Sequence, residues 1–199
     1  FRGVTGVQTC ALPIYAAGRF PALRAVDGEV WSDAYVHGER TLARRPIVTP
    51  EDDFRTLLHK KIAIELAFLR EKGTVALSDA DCTAAAAEVT DYCDRAARNH
   101  ADEARHILQA LRERGYRFVL VTNFYGNIRA VLRAYGLADF FSHIVESAVV
   151  GVRKPDPDIW QLGIDAAAVP AASCVAIGDS FSKDIVPAHS LGAQTIWFK

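Results

Sequence analysis

The sequence has no methionine and only four cysteines, Cys10, Cys82, Cys93 and Cys174. These cysteines form no C-x-x-C pair and no tight cluster, so a disulfide framework is not expected and a reducing compartment, the cytoplasm, is the default. No two histidines stand at H-x-x-x-H spacing, which argues against a histidine-ligated zinc site. No apolar run approaches the roughly 20 residues needed to cross a bilayer. We therefore expect a soluble, cytoplasmic protein.

Strong charge of either sign is also lacking. The formal net charge is -1, which argues against a nucleic acid or an acidic membrane as the main partner. Half of the residues are hydrophobic, as in ordinary globular proteins. A chain of 199 residues is long enough for one sizeable domain, or for a core with a smaller satellite. The sequence leaves the oligomeric state open.

Residues 1–14 (FRGVTGVQTCALPI) resemble translated sequencing-adaptor sequence. They lack the basic start, long apolar stretch and cleavage site of a secretory signal. An irregular natural N-terminus is the alternative. In either case we exclude residues 1–14 from functional reasoning.

The pattern from Asp27 to about Gly115 is helical throughout, within a predicted helical region of residues 15–115. Asp27 predicts a capped helix from Gly28 to about Arg44. Helix start and stop signals predict three more helices: one that starts at Thr49-Pro50-Glu51-Asp52 and runs to Glu71 before Gly73, one from Ser78 to about Arg98, and one from about Ala101 to Arg114. We expect these helices to form a separate all-helical region.

Strands and helices alternate over residues 116–199. The predicted strands are Phe118–Thr122, His143–Ser147, Cys174–Ile177 and Thr195–Phe198, and the predicted helices run from about Tyr125 to Tyr135, from Asp156-Pro157 to about Ala168, and over Asp184–Ser190. Such alternation implies right-handed crossovers and a parallel sheet that is covered on both faces. The predicted fold class is α/β, a doubly wound parallel sheet, with the helical region beside it.

Polar residues stand where three of these strands end. Thr122 and Asn123 close the first strand, Lys154 lies in the loop after the second, and Asp179 closes the third, five residues before Asp184. Ligands of open parallel sheets bind beyond the carboxyl ends of the strands. Topology alone therefore predicts that a hydroxyl, an ammonium and two carboxylates meet at one edge.

This set of groups suits phosphoryl transfer. The transferring group spreads negative charge over several oxygens, and donors and cations aimed at those oxygens stabilise it. Carboxylates near a phosphate require a cation between them, and Mg²⁺ prefers oxygen ligands. Each feature has an ordinary explanation as a turn, a solvated lysine or a helix cap. Their order at successive strand ends favours the functional interpretation.

The same residues resemble the motifs of the haloacid dehalogenase (HAD) superfamily. Val121-Thr122-Asn123 is similar to its second motif, Lys154-Pro-Asp-Pro to its third, and Gly178-Asp-Ser with Asp184 to its fourth. The resemblance covers about residues 15–199 and implies a Rossmann-like core with a helical cap. It implies that Thr122 and Asn123 contact phosphoryl oxygens, that Lys154 stabilises nucleophile and phosphate, that Asp179 binds Mg²⁺, and that Asp184 supports the metal. The Gly-Asp pair favours a phosphatase of a small phosphorylated metabolite.

The family's first motif, D-x-D-x-T after an apolar strand, does not precede the helical region. Its first aspartate would form the aspartyl-phosphate intermediate. Asp27-Gly-Glu29 is the nearest imitation, and it fits a helix cap better. We therefore expect the chain to be part of a longer protein and to be inactive as it stands.

The resemblance also places the first-motif strand in the centre of the sheet, between Phe118–Thr122 and Cys174–Ile177. Residues 4–14 are the one candidate to fill that place, and Gly6 and Pro13 predict poor pairing. The second hypothesis, if the N-terminus is genuine, is a non-catalytic phosphate-binding or interaction module. The genomic sequence ahead of residue 15 would distinguish it from the enzyme.

Overall fold

The structure is a computed structural model that describes residues 20–24 and 26–199. It divides into two compact units, of which the first ends at Glu103 and the second spans Ala104–Lys199. The residues 1–14 that resemble adaptor sequence, and the candidate strand within them, lie outside the described part. No helix in that part combines the length and apolarity that a membrane span requires.

Three helices build the first unit: α1 (Gly28–Arg44), α2 (Phe54–Glu71) and the start of α3 (Asp79–Glu113). The prediction of α1 is confirmed, because the Asp27 carboxylate accepts a hydrogen bond from the Glu29 N–H at 2.8 Å. At the start of α3, Ser78 and Asp81 bond reciprocally: the Ser78 hydroxyl accepts from the Asp81 N–H at 3.1 Å and donates to its carboxylate at 2.7 Å. Local capping signals therefore set both helix starts.

The start of α2 differs from the prediction. Thr49-Pro50 begins a turn, and the Asp52 carboxylate of that turn accepts from the Thr49 N–H at 2.9 Å. Asp53 is the cap and accepts from the Thr56 N–H at 2.8 Å, so the helix begins four residues after Pro50. The predicted end at Glu71 is confirmed, and Gly73 follows with a φ of 69°.

The two helices predicted over Ser78–Arg98 and Ala101–Arg114 are one continuous helix, α3, of 35 residues. The residues between the predicted halves, Asn99 and His100, include no glycine or proline, so the helical hydrogen bonds continue through them. The boundary between the two compact units falls within α3, after Glu103.

The core of the first unit consists of apolar side chains at helical spacing, as expected for amphipathic helices. The buried members are Trp31, Ala34, Leu42, Phe54, Leu57, Leu58, Ile62, Leu66, Leu69, Ala85, Ala86, Val89, Cys93, Ala97 and Ala101. Gly38 lies where α1 approaches α2 closely, since a Cβ there would stand 3.0 Å from the Glu65 side chain. Glu65 and Lys61 are buried within this otherwise apolar core.

The second unit alternates strands and helices, which confirms the α/β fold class. Its elements are β1 (Phe118–Thr122), α4 (Ile128–Ala134), β2 (Phe141–Glu146), α5 (Ser147–Val150), α6 (Pro157–Ala167), β3 (Val175–Gly178), α7 (Val186–Ser190) and β4 (Gln194–Trp197). Strand β1 matches its prediction residue for residue. The other bounds move by one to three residues. Phe181–Ile185, part of which was predicted as helix, forms one wide π-type turn ahead of α7.

The strands pair in parallel, as predicted, but in two separate sheets. Strand β1 pairs with β2, and β3 pairs with β4. Within the described residues, no hydrogen-bonded ladder joins β1 to β3, so the described strands form two parallel pairs. A cavity of about 510 Å³ lies between them, lined by Val119 and Val121 of β1 and by Val175–Ile177 of β3. This is the place where the family resemblance puts the first-motif strand.

Helix α6 holds the second unit together. Ile159 and Trp160 of α6 share one buried cluster with Val145 of β2 and Ala176 of β3. Gly163 permits close contact with β1, because a Cβ there would stand 2.6 Å from a methyl group of Val121. The packing of α6 on strands of both sheets fixes the loops at their carboxyl ends.

Candidate active site

Asn123 ties the end of β1 to the loop that carries Lys154. Its side-chain oxygen accepts a hydrogen bond from the Lys154 N–H at 2.9 Å, and its side-chain nitrogen donates to the Lys154 carbonyl at 3.0 Å. Both polar atoms of the amide are thus used by one backbone residue. These two hydrogen bonds fix the backbone of Lys154 and therefore the point from which its side chain extends.

The Lys154 ammonium lies 2.7 Å from Oδ1 of Asp184. The two side chains are 17% and 5% exposed, so the ion pair is largely removed from water. The ammonium also stands 5.5 Å from the ring centroid of Trp160, within the range of a cation–π contact. These contacts fix the position of the Lys154 ammonium, unlike that of a solvated surface lysine.

Asp184 folds back over the end of β3. Its second oxygen, Oδ2, accepts from the Ser180 N–H at 3.0 Å, so both carboxylate oxygens have partners. Gly178 makes room for it, since a Cβ there would stand 2.3 Å from the Asp184 Cβ. The absence of a side chain at Gly178 is required for this arrangement, and a buried carboxylate with two donors avoids the cost of an unpaired charge.

The other two predicted site residues adjoin this network in the chain. Thr122 is the last residue of β1, is half-buried, and lies opposite Glu146 in the β1–β2 register. Asp179 follows β3 and is exposed, and its carbonyl accepts from the Trp197 indole N–H at 3.1 Å. The structure thus links Asn123 to Lys154 and Lys154 to Asp184. Thr122 is next to Asn123 in the chain, and Asp179 is next to Ser180, whose N–H bonds Asp184.

The donors at this edge are oxygens, which fits Mg²⁺ better than a softer metal. Asp179 is exposed, and both oxygens of Asp184 accept hydrogen bonds, from Lys154 and from Ser180. No group of three or more His, Cys, Asp or Glu side chains suited to a metal occurs among the described residues. A cation here would be held by Asp179 and waters, with Asp184 organising the surrounding loop.

The letters D-x-D-x-T occur once in the chain, at Asp79-Ala80-Asp81-Cys82-Thr83, after the predicted start of a helix. There they form the first turn of α3 and do not close a strand. Asp79 pairs with Arg70, Asp81 bonds Ser78, and the Thr83 hydroxyl donates to the Asp79 carbonyl at 2.9 Å. The local structure is a helix cap, so this match does not supply the first motif.

Sequence reasoning missed two residues at the end of β2, Glu146 and Ser147. Glu146 is buried, and its carboxylate accepts from the backbone N–H groups of Gly126 and Ile128. The one signal for it was a carboxylate near the end of a predicted strand, which is the same signal that identified Asp179.

Comparisons with known proteins identify the family of this chain. The family model for haloacid dehalogenase-like hydrolases matches residues 18–192. The chain is 38% identical over 100 residues to glyceraldehyde 3-phosphate phosphatase of Pyrococcus abyssi, and 33% identical over 96 residues to phosphoserine phosphatase of Thermus thermophilus. Each alignment covers 48% of this chain, and they cover 41% and 39% of the two relatives. The chain therefore matches about two fifths of the length of these relatives.

A longer alignment joins the chain to ribulose-1,5-bisphosphate 5-phosphatase of Halopiger xanaduensis. It is 28% identical over 196 residues and covers 94% of this chain and 78% of that protein. Among solved structures, a hydrolase of Streptococcus pneumoniae matches with a TM-score of 0.52 at 17% identity, over 96% of this chain and 83% of that one. A putative HAD-family hydrolase of Bacillus subtilis, bound to magnesium, matches with a TM-score of 0.51 at 20% identity, over 96% and 82%. These structural likenesses concern the fold.

Proposed function

Because this chain belongs to the haloacid dehalogenase-like hydrolases, we propose that it is the phosphate-handling part of a Mg²⁺-dependent phosphohydrolase. The observation that carries the proposal is the fixed position of Lys154. Its backbone is bonded twice by Asn123, and its ammonium is held 2.7 Å from Asp184 at the carboxyl ends of the strands. A cation that is already in place needs no rearrangement to stabilise negative charge on a phosphoryl group.

The residues take the following roles in this proposal. The Thr122 hydroxyl binds a phosphoryl oxygen, and Lys154 neutralises the charge that develops there. Asn123 acts by holding the Lys154 loop, because its side-chain amide is already engaged. Asp179 binds Mg²⁺, whose chemistry is to neutralise phosphate charge, and Asp184 keeps Lys154 and the Ser180 loop in place.

The nucleophile of the proposed reaction is an aspartate of a first-motif strand, which would form the aspartyl-phosphate intermediate. We assign it to none of the described residues. Asp179 and Asp184 are already given other roles, and Asp79 and Asp81 lie in the first turn of α3, where Asp79 pairs with Arg70 and Asp81 bonds Ser78. The cavity between β1 and β3 is the place for such a strand, because its end would lie beside Thr122 and Asp179.

The proposed substrate is a small phosphorylated metabolite. The relatives in the comparisons are named for glyceraldehyde 3-phosphate, phosphoserine and ribulose bisphosphate, which share a phosphate ester on a short polar carbon chain. The formal net charge of -1 argues against a polymeric anion as the main partner. We therefore propose recognition through the phosphate itself, at Lys154 and Thr122.

Titration of the 199-residue chain with inorganic phosphate in the presence of Mg²⁺ tests this site. We expect saturable binding by ³¹P NMR, weakened at least ~10-fold by Lys154→Ala, since a hydrogen bond to a charged group is lost. Lys183→Ala is the matched control, because Lys183 is exposed on the neighbouring turn. Equal phosphate affinity for Lys154→Ala and the parent chain would refute the assignment of this site.

Catalysis is a separate prediction. We expect the 199-residue chain to release no phosphate from an aryl phosphate with Mg²⁺, because we assign phosphate binding, but no nucleophile, to residues 20–24 and 26–199. Asp179→Asn serves as the baseline in a colorimetric assay. Metal-dependent turnover above that baseline would show that a residue of this chain acts as nucleophile. Binding without turnover is also what a non-catalytic phosphate-binding module would show, and the genomic sequence ahead of residue 15 distinguishes the two.

A further inference from the structure

The carboxyl end of β2 carries a buried glutamate that bonds the loop following β1. Glu146 is 4% exposed and lies opposite Thr122 in the parallel register. Its Oε1 accepts hydrogen bonds from the Gly126 N–H at 2.7 Å and from the Ile128 N–H at 3.2 Å. One carboxylate oxygen therefore holds two points of the loop that begins at Asn123.

Ser147, the next residue, holds the same loop at a third point. Its hydroxyl accepts from the Phe124 N–H at 3.2 Å and lies 3.3 Å from the Phe124 carbonyl, to which it donates. Gly126, which lies between Phe124 and Ile128, has a φ of 99°, a conformation that residues other than glycine rarely adopt. A residue in this conformation interrupts regular hydrogen bonding within the loop. The loop therefore depends on its bonds to Glu146 and Ser147 for its shape.

This loop joins directly to the site. Its first residue, Asn123, bonds both the N–H and the carbonyl of Lys154. Hydrogen bonds from Glu146 and Ser147 therefore hold the loop, and the covalent chain of the loop leads from Phe124 to Asn123, which bonds the backbone of Lys154. A carboxylate makes strong bonds to N–H groups, and its removal would leave two loop N–H groups without their acceptor.

We propose that Glu146 is a positioning residue for the phosphate site. It does not touch the substrate. It holds the loop at Gly126 and Ile128, and thereby keeps Thr122 and Asn123, and through Asn123 the Lys154 backbone, in the geometry that binds phosphate. This role rests on the proposed function of Lys154. Its structural part, that Glu146 holds the loop and the Lys154 backbone in place, can be measured without any ligand.

Amide hydrogen exchange, measured by NMR at one pH, tests this structural part. Glu146→Met keeps most of the side-chain volume and removes the acceptor, whereas Glu146→Gln keeps an acceptor oxygen. We expect Glu146→Met to speed exchange about tenfold or more at Gly126, at Ile128 and also at the remote Lys154 N–H, and Glu146→Gln to restore most of the protection. Glu113→Met, an exposed glutamate of α3, is the control. Faster exchange at Gly126 and Ile128 with no change at Lys154 would refute the positioning role.

Phosphate titration of the same variants tests the functional part. We expect Glu146→Met to weaken inorganic phosphate binding about tenfold, with Glu146→Gln and Glu113→Met near the parent value. Unchanged affinity in a Glu146→Met chain with loosened Lys154 would overturn the functional part. A parent chain that binds no phosphate would instead refute the proposed function, while exchange at Lys154 still decides whether Glu146 controls that loop.

A second variant covers the case in which Glu146→Met does not fold, which its amide spectrum would reveal. Ser147→Ala removes the contact to Phe124 and leaves the buried carboxylate in place. We expect faster exchange at Phe124 and, to a smaller extent, at Lys154. An unchanged Lys154 exchange rate in folded Ser147→Ala would then count against the proposal.

Discussion

The two units of this protein bury glutamate side chains in opposite ways. In the helical unit, Glu65 is 2% exposed, and its Oε1 accepts no hydrogen bond from the described residues. The nearest cation, the Lys61 ammonium, is 3.8 Å away and also pairs with Glu39. Burial, and to a lesser extent the Glu39 charge, raises the pKa of Glu65 to about 7, although Lys61 opposes the shift.

In the α/β unit, the buried carboxylates have backbone partners. Glu146 accepts from two loop N–H groups, and Asp184 accepts from the Ser180 N–H and from Lys154. The physical reason for the difference is the backbone. In a helix interior every N–H is already bonded four residues back, whereas loops beyond strand ends have N–H groups to offer. A buried carboxylate therefore organises a site at strand ends, and in a helical core it favours the protonated form.

Among the tests of this comparison, the largest effect is expected on turnover, when Lys154 is replaced. In a chain extended by a strand carrying D-x-D-x-T, Lys154→Ala and Asp179→Asn should each lower turnover at least ~10²-fold, about 3 kcal/mol, the usual scale for one preorganised contact. Thr122→Ala should cost less, because neighbouring N–H groups remain. Steady-state kcat/KM with a small phosphomonoester measures this, with Lys183→Ala as control. Near-full activity of Lys154→Ala would show that the site is misplaced.

Glu65 gives the expected pH dependence of the helical unit. A carboxyl whose pKa is raised from 4.5 to about 7 on folding stabilises the fold at low pH, and that contribution is lost as pH rises towards about 7. Glu65→Gln removes the titration. Relative to the parent, we expect the variant to gain roughly 2–3 kcal/mol of unfolding free energy between about pH 4.5 and pH 7, and nothing further above it.

Urea unfolding followed by Trp31 fluorescence, with Trp160 and Trp197 replaced by Phe, reports on the helical unit. The pH series is run in parallel on Glu113→Gln, an exposed glutamate. A constant difference between Glu65→Gln and its parent across the whole series would mean that Glu65 ionises normally in its buried place.

Gly178→Ala sharpens the comparison from the other unit. The added methyl group would stand 2.3 Å from the Asp184 Cβ, so Asp184 must move and release Lys154. Overpacking of this kind costs roughly 1–3 kcal/mol. Thermal unfolding measures the loss. Gly28→Ala is the matched control, since nothing lies within 4 Å of a Cβ there. Equal stability of the two variants would contradict the close approach of Asp184 to β3.

The smallest effect is expected for the exposed ion pair of Arg55 and Asp91 in the helical unit. The two side chains are 49% and 44% exposed and 2.6 Å apart. Such pairs contribute ~0.2–1 kcal/mol and are screened by salt. Arg55→Ala should therefore change the unfolding free energy by less than about 1 kcal/mol, and the difference should vanish at high salt. A loss of unfolding free energy comparable to that of Gly178→Ala would show that this exposed ion pair contributes as much as the buried contact between Asp184 and Gly178.

Local signals in the sequence predicted most of the elements. Asp27 and Asp156 cap helices where expected, and Gly73 and Gly136 follow helix ends in the left-handed conformation. The prediction was wrong where two local signals competed. Asp52 and Asp53 stand side by side, and only their surroundings decide that Asp52 bonds Thr49 and Lys60 while Asp53 caps the helix.

The candidate site divides in the same manner. Asn123 and Lys154 were identified because parallel strands carry their functional residues at their carboxyl ends. The family membership of the chain is shown, while the roles of these residues stay predictions. Glu146 carried too weak a signal, since a single acid near a strand end is common. Residues Asp79–Thr83 match the first motif in sequence only, because the same pattern also fits the start of α3.

The sequence by itself determined the alternation of strands and helices, the α/β class and the order in which polar residues follow the strands, because these depend on spacing between near neighbours. The sequence also predicted that Lys154 and Asp184 lie at one edge of the sheet. Tertiary structure alone decided that they form a direct ion pair, that Gly178 leaves space for that carboxylate, and that Glu146 holds the loop after β1. It also decided that the strands stand in two pairs around a cavity. Contacts between distant residues depend on how whole elements pack, and packing is a property of the assembled core that no local pattern contains.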